Sequence, residues 1–221
     1  MQKKIIWVFG ESATGKLTLI NNLYNKNEDI LNIFDMKNKK INISEITLED
    51  RNKNYGNIED IDIYDDYLME ESNLFFNKKM AIERRKCIMY DVENFLKNDD
   101  DVLLIKGQVN DLNVRRGNII GYFLNKYYGM ENIEIEVFIL QVSNKDELIR
   151  RIQSKLWFKE MKDEKEKERL LNNIPLKKEE HKELVIDAFN DYNIPICIIE
   201  SLNGTYRMEG VINGKSDIIR R

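Results

Sequence analysis

The sequence predicts a three-layer α/β protein: a parallel sheet of about five strands, helices on both of its faces, and a helical lid over one end. Three observations predict it. Apolar runs of strand length alternate with longer stretches of helical periodicity, the pattern of a parallel sheet covered by helices. The clearest of these runs are nearly continuous in apolar residues, as strands buried on both faces are. The first of them leads directly into GESATGK, a turn bracketed by glycines, and then into a helical pattern.

Taken in chain order, residues 5–9 (IIWVF) are the first strand and residues 17–24 the helix after the turn. A second strand is expected in KKINISEI, residues 39–46, with LNIFDM, residues 31–36, competing for the place. Residues 67–96 read as one long helix or a broken pair, 102–105 (VLLI) as a strand, 114–128 as a helix and 135–142 (IEVFILQV) as a strand. From 155 to 182 the text is dense in Glu and Lys at helical spacing and is broken at Asn172-Asn173-Ile174-Pro175. It is either a solvated helix pair or a mobile lid, about 155–175, over an active site. Residues 196–199 (ICII) are the last core strand, and Asn203-Gly204 and Asn213-Gly214 mark tight turns in a small terminal hairpin. The organisation expected is one domain over 1–200, with an insert at about 32–73, and a hairpin-like tail over 201–221.

Composition narrows the function classes. The chain has 221 residues, 42% of them hydrophobic, enough for one sizeable core. Its two cysteines, Cys87 and Cys197, stand far apart in apolar surroundings, so a disulfide framework and a CxxC metal site are both excluded and a reducing, cytoplasmic setting is expected. No apolar run approaches the roughly 18 residues of a membrane span, and MQKK leads straight into strand-like sequence without a signal-peptide core. A net charge of -4 argues against a broad duplex-DNA surface, though not against contact with one nucleotide or one strand end.

The turn Gly10, Glu11, Ser12, Ala13, Thr14, Gly15, Lys16 has the GxxxxGK spacing between a strand and a helix. Glycines at its ends permit backbone angles that aim successive NH groups inward. The helix adds its positive end, and Lys16 adds a point charge for outer phosphates. With DDVLLIKGQVNDLNVRRGNIIGYFLNKYYG (100–129) and IEVFILQVSNKDELIRRIQSK (135–155), the chain resembles the P-loop kinase group that includes polynucleotide kinases, zeta-toxin-like kinases and kinases for gluconate and shikimate. The resemblance covers most of residues 1–200, and its specific part is the loop. It implies a P-loop NTPase fold, ATP and Mg2+ as cofactors, and a cytoplasmic kinase acting on a hydroxyl of a small molecule, a nucleotide or a nucleic-acid end. It places Gly10 to Thr18 against the nucleotide and Arg115 and Arg116 as the basic pair that opens a helix. Arg150, Arg151 and Lys155 lead into the lid, with Arg151 the catalytic cation beside Lys16. An Asp after the second strand acts as base in such kinases. Asp50 is the first choice for that role and Glu45 the second, and Glu45 and Arg51 are expected at the acceptor.

Four positions depart from the family, among them Glu11, an acid beside phosphate, and Ala13, where these kinases often carry a glycine. Leu17 replaces the hydroxyl that usually touches magnesium, leaving Thr18, one residue late, as the metal candidate, and Lys106 stands where many relatives carry an Asp. Either magnesium is held mainly by nucleotide and water, as its slow dehydration allows, or the site binds nucleotide without transfer. A non-catalytic nucleotide-binding protein is therefore the alternative reading. A GTPase is disfavoured: VSNKDE, residues 142–147, resembles the guanine-reading NKxD but puts Glu147 where Asp is needed, and Ser143 with Asp146 reads as a capping box. The acidic stretch 58–72 matches no defined metal loop, and His181, among charges, is expected to be an exposed helix residue. Trp157 and Phe158 are expected to pack, the alternative being an exposed pair stacked on a base.

Overall fold

A computed structural model describes residues 2–44, 78–112, 119–202, 205–213 and 216–219. The apolar runs form the middle of one sheet. β1 (Lys3–Gly10) lies at its centre between β3 (Val102–Lys106) and β4 (Ile133–Gln141), with β2 (Ile41–Ile43) outside β3 and β5 (Pro195–Leu202) outside β4, all parallel. In register, Val8 faces Lys106 on one side and Phe138 on the other. β6 (Thr205–Asn213) and β7 (Ser216–Ile219) continue the sheet antiparallel, giving the order β2-β3-β1-β4-β5-β6-β7. The five expected parallel strands are thus joined by a tail that belongs to the same sheet. Tyr206 of β6 is buried, and Met208 and Val211 pack beside it on the core.

The helices form two layers. α1 (Lys16–Tyr24) and α2 (Glu28–Ile33) cover one face, where Leu19, Ile20, Leu23, Ile30 and Leu31 pack on Ile6, Val8, Leu104, Phe138 and Leu140. The other face takes α3 (Lys78–Lys97), α5 (Ile119–Tyr127), preceded by the short α4 (Val109–Leu112), and the end of α8 (Glu164–Phe189), through Ile88, Val92, Phe123, Val185 and Phe189 on Ile5, Trp7, Phe9 and Ile105. Alternate residues of β1 therefore serve opposite layers, as period-2 geometry requires. Residues 31–36, which competed for a strand, belong to α2 and the turn after it, where Phe34 stacks on Phe138 at 4.9 Å. The helix expected over 67–96 is seen from Lys78 onward and the one over 114–128 from Ile119; 67–77 and 113–118 lie outside the described residues.

The break expected at 172–175 does not occur, and α8 runs unbroken through Pro175. A proline inside a helix costs roughly 3 kcal/mol. Here the helix is anchored on both sides of it. Leu170 and Leu171 pack with Val142, Leu148, Ile152 and Phe158, while Val185 and Phe189 are fully buried in the main core, each worth roughly 1.5–3 kcal/mol. Among the described residues no helix is long and apolar enough to cross a membrane.

Candidate functional site

Sheet order locates the crevice. From β1 the chain passes through α1 and α2 towards β2 on one side, and from β4 it passes towards β5 on the other, so connections diverge at the carboxyl ends of β1 and β4. In open α/β sheets ligands bind at such a point. Gly10 to Lys16 occupies it. Gly10 (φ 144°) and Gly15 (φ 96°) have positive φ, and Ala13 (φ 67°) shares the left-handed region at a steric cost glycine would avoid. A Cβ on Gly10 would lie 2.5 Å from Leu140 O and 2.7 Å from Thr14 Oγ1, so only glycine passes between β4 and the loop.

The loop is closed by its own bonds. Buried Thr14 donates from Oγ1 (2.9 Å) and from N (3.3 Å) to Glu11 O, and Ser12 N donates to Glu11 Oε2 at 3.0 Å. Lys16 Nζ donates to Gly10 O and, at 2.9 Å, to Glu11 O, which folds the ammonium back into the turn. α1 begins after its N-cap Gly15, which has no side chain to accept from the first-turn NH groups. Leu17 (42% exposed) and Thr18 both face outward from α1.

Cations gather around this turn. Lys16 is pulled down to about 8, first by burial and then by the charge of Lys106, with Lys155 adding to the effect and Glu11 opposing it. Lys106, at the end of β3, is also lowered, by burial and by the neighbouring charges of Arg84 and Lys155. Arg84 itself is neutralised: its Nε and Nη2 each donate at 2.7 Å to fully buried Asp111, which also accepts from Gln108 N at 2.8 Å. Arg151 comes from α6 (Lys145–Gln153) and reaches the loop from its flank. Its Nε donates to Glu147 Oε1 at 2.7 Å and its Nη1 to Ser201 Oγ at 3.1 Å and Thr14 O at 3.5 Å.

His181 corrects an expectation. Instead of being exposed it is 3% exposed on α8, with Nε2 lacking a hydrogen-bond partner, and burial followed by the charge of Lys16 lowers it to about 4. The helical period explains it, because His181 precedes buried Val185 and Phe189 by four and eight residues and shares their face. The surrounding KKEEHKEL had masked that periodicity. The cap of α6 is also different. Asn144 Oδ1 accepts from Glu147 N at 3.0 Å, whereas Ser143 donates from N (2.6 Å) and Oγ (2.7 Å) to the buried carboxylate of Glu200. Asn144 is thereby committed to its own helix. Phe158, in the short α7 (Leu156–Lys159), is buried as expected and packs with Val142, Leu148 and Ile152.

Of the expected site residues, the structure brings together Gly10 to Thr18, Arg151 and Lys155. Glu45, Asp50, Arg51, Arg115, Arg116 and the acidic stretch 58–72 lie outside the described residues. Sequence reasoning missed Asp111 and His181, and read Lys106 only as a departure. The one signal for Lys106 was a lone cation ending an apolar strand. Among the described residues no group of three or more His, Cys, Asp or Glu is placed to hold a metal ion.

No family model matches the chain, and no curated protein matches it. Among solved structures it is similar to the complex of AvrRxo1-ORF1 and AvrRxo1-ORF2 with sulphate ions, at 11% identity and a TM-score of 0.44. That similarity covers 99% of this chain and 61% of the other, so the chain spans about three fifths of the length of the protein it matches.

Proposed function

We propose that the chain is an ATP-dependent kinase of the P-loop type, transferring phosphate to a hydroxyl of a small molecule, a nucleotide or a nucleic-acid end. One observation carries the reading: GESATGK forms a strand–loop–helix turn at the sheet's crevice, with Lys16 enclosed in it and further cations converging on it. Phosphoryl transfer is mostly positioning and charge neutralisation, and this is the equipment the site holds.

In this reading the NH groups of the loop and the start of α1 hold the phosphates, Ser12 N and Thr14 N exchanging their bonds to Glu11 for phosphate oxygens, with Leu17 and Thr18 at the rim, while Lys16 turns from the Gly10 and Glu11 carbonyls to a phosphate oxygen. ATP supplies the phosphoryl group. Magnesium enters with the nucleotide, since Leu17 has no ligand atom and Lys106 repels a cation. Arg151 from α6 and Lys155, at the start of α7, add positive charge, and α7 with the first turns of α8 acts as the lid. The acceptor oxygen bonds to phosphorus as the bond to ADP breaks, and its proton passes to the carboxylate of Asp50 or Glu45. Arg51, Arg115 and Arg116 are the proposed acceptor contacts.

Binding without transfer is the second reading, favoured by the exposed Leu17. The test begins with melting curves. ATP at about 100 times its dissociation constant adds roughly 2.7 kcal/mol, or about 5 to 10 °C for a chain of this size. GTP is expected to add little, and Lys16→Ala to abolish the ATP shift with the circular dichroism spectrum unchanged. An unchanged shift in Lys16→Ala would remove the loop from function. A full ATP shift without ADP formation across a panel of alcohols would leave the binding-only reading.

A further inference from the structure

Among the described residues Lys106 has no counter-ion. Its backbone carbonyl accepts from Arg84 Nη2 at 2.8 Å, and among the described residues its ammonium has neither a hydrogen bond nor an ion pair. The backbone that carries it is braced. Gly107 N donates to Val8 O at 2.9 Å, and Asp111 fixes both Arg84 and Gln108 N. Gly107 also lies so close to Phe9 that a Cβ there would meet its ring at 2.3 Å. A buried ion pair is costly to assemble. Because Asp111 neutralises Arg84, no described carboxylate compensates Lys106 on its fixed strand end.

Position decides what this charge faces. Lys106 alternates with Val102 and Leu104, which pack on the α1 side of the sheet, so it lies on the face where α1 begins at Lys16. Its strand stands between β1, which carries the loop, and β2, whose end is tied by Ser44 N donating to Leu104 O at 2.9 Å. Lys155 approaches from the opposite flank, beyond β4, and its charge reaches both Lys16 and Lys106. Like charges held together without a counter-ion are destabilising until an anion joins them. Lys16 and the loop serve the nucleotide phosphates, which leaves Lys106, displaced toward β2, for a negative group on the other substrate. An ammonium is a compact point charge of the kind that binds phosphate, whereas planar pairing with a carboxylate is the preference of arginine.

We propose that Lys106 binds a phosphate group carried by the acceptor, so that the substrate is a phosphorylated alcohol and not a neutral polyol. This rests on the phosphotransferase reading above, and the test separates the two. The loop is first filled with a non-hydrolysable ATP analogue, and inorganic phosphate is then titrated calorimetrically at constant ionic strength into wild type, Lys106→Met and Lys106→Arg. Phosphate is expected to bind the analogue-filled wild type, to lose about tenfold or more in affinity in Lys106→Met, and to be retained within about threefold in Lys106→Arg, with analogue affinity the same in all three. Phosphate that binds only while the loop is empty, or that is indifferent to Lys106→Met, overturns the proposal. An equal loss of analogue affinity in Lys106→Met also overturns it, making Lys106 a nucleotide contact. Acetate binding as well as phosphate refutes the phosphate assignment. If the analogue itself fails to bind wild type while phosphate still depends on Lys106, the kinase reading falls and the phosphate site stands.

Discussion

Acidification should reveal the buried state of His181. Its ordinary pKa of 6.5 is lowered to about 4 by burial and then by the charge of Lys16, so over this interval the unfolded chain binds a proton that the folded chain refuses. Stability contributed by the neutral imidazole is present at pH 7 and falls as pH drops through 6.5. Between 6.5 and about pH 5 the loss is about 1.5 pH units at roughly 1.4 kcal/mol each, or about 2 kcal/mol. For a chain of this length that lowers the melting midpoint by about 4 to 8 °C. Carboxylates also titrate in this range, so the comparison is with His181→Leu, which keeps an apolar side chain on the face shared with Val185 and Phe189 and removes the proton site. Because Nε2 has no partner, leucine breaks no bond made by that atom. Circular dichroism melts of both proteins at pH 7 and 5 should show the wild type losing about 2 kcal/mol more than the variant. Equal losses in the two proteins would mean that His181 is not held neutral in the fold, and the account of its burial would be wrong.

Gly107→Ala should destabilise the protein by about 1–3 kcal/mol, because the added Cβ meets the Phe9 ring at 2.3 Å and that ring is packed against Trp7 and Phe189; an unchanged urea midpoint would contradict the packing. Arg151→Ala should lower the catalytic constant about tenfold with little change in nucleotide affinity, the behaviour of a charge that matters most in the transition state. An equal loss in binding and turnover would make Arg151 a brace of the loop, acting through Thr14 O and Ser201, and not a catalytic group.

The parts of this molecule that local rules govern were determined by the sequence itself. The runs 5–9, 102–105 and 196–199 fall in strands of the parallel core, as does 135–142 up to Gln141, because a strand covered on both faces must be apolar throughout. The turn from Gly10 to Gly15 was legible for a similar reason. Positive φ at its two glycines is a demand of the adjacent backbone, and its spacing is complete within seven residues. Tertiary contact decided the rest. Pro175 reads as a helix break, yet α8 passes through it because leucines on one side and Val185 with Phe189 on the other are anchored to the core. His181 reads as solvated, yet it is buried by the helix face it shares with residues one and two turns on. Lys106 reads as a missing acid, yet it is a charge that acts on Lys16 and has no partner among the described residues, while Asp111, remote from Arg84 in sequence, neutralises that neighbour. Backbone conformation and burial on both faces are written in adjacent residues, whereas burial of a single polar group and compensation of a charge depend on atoms that only the packed sheet and helices bring together.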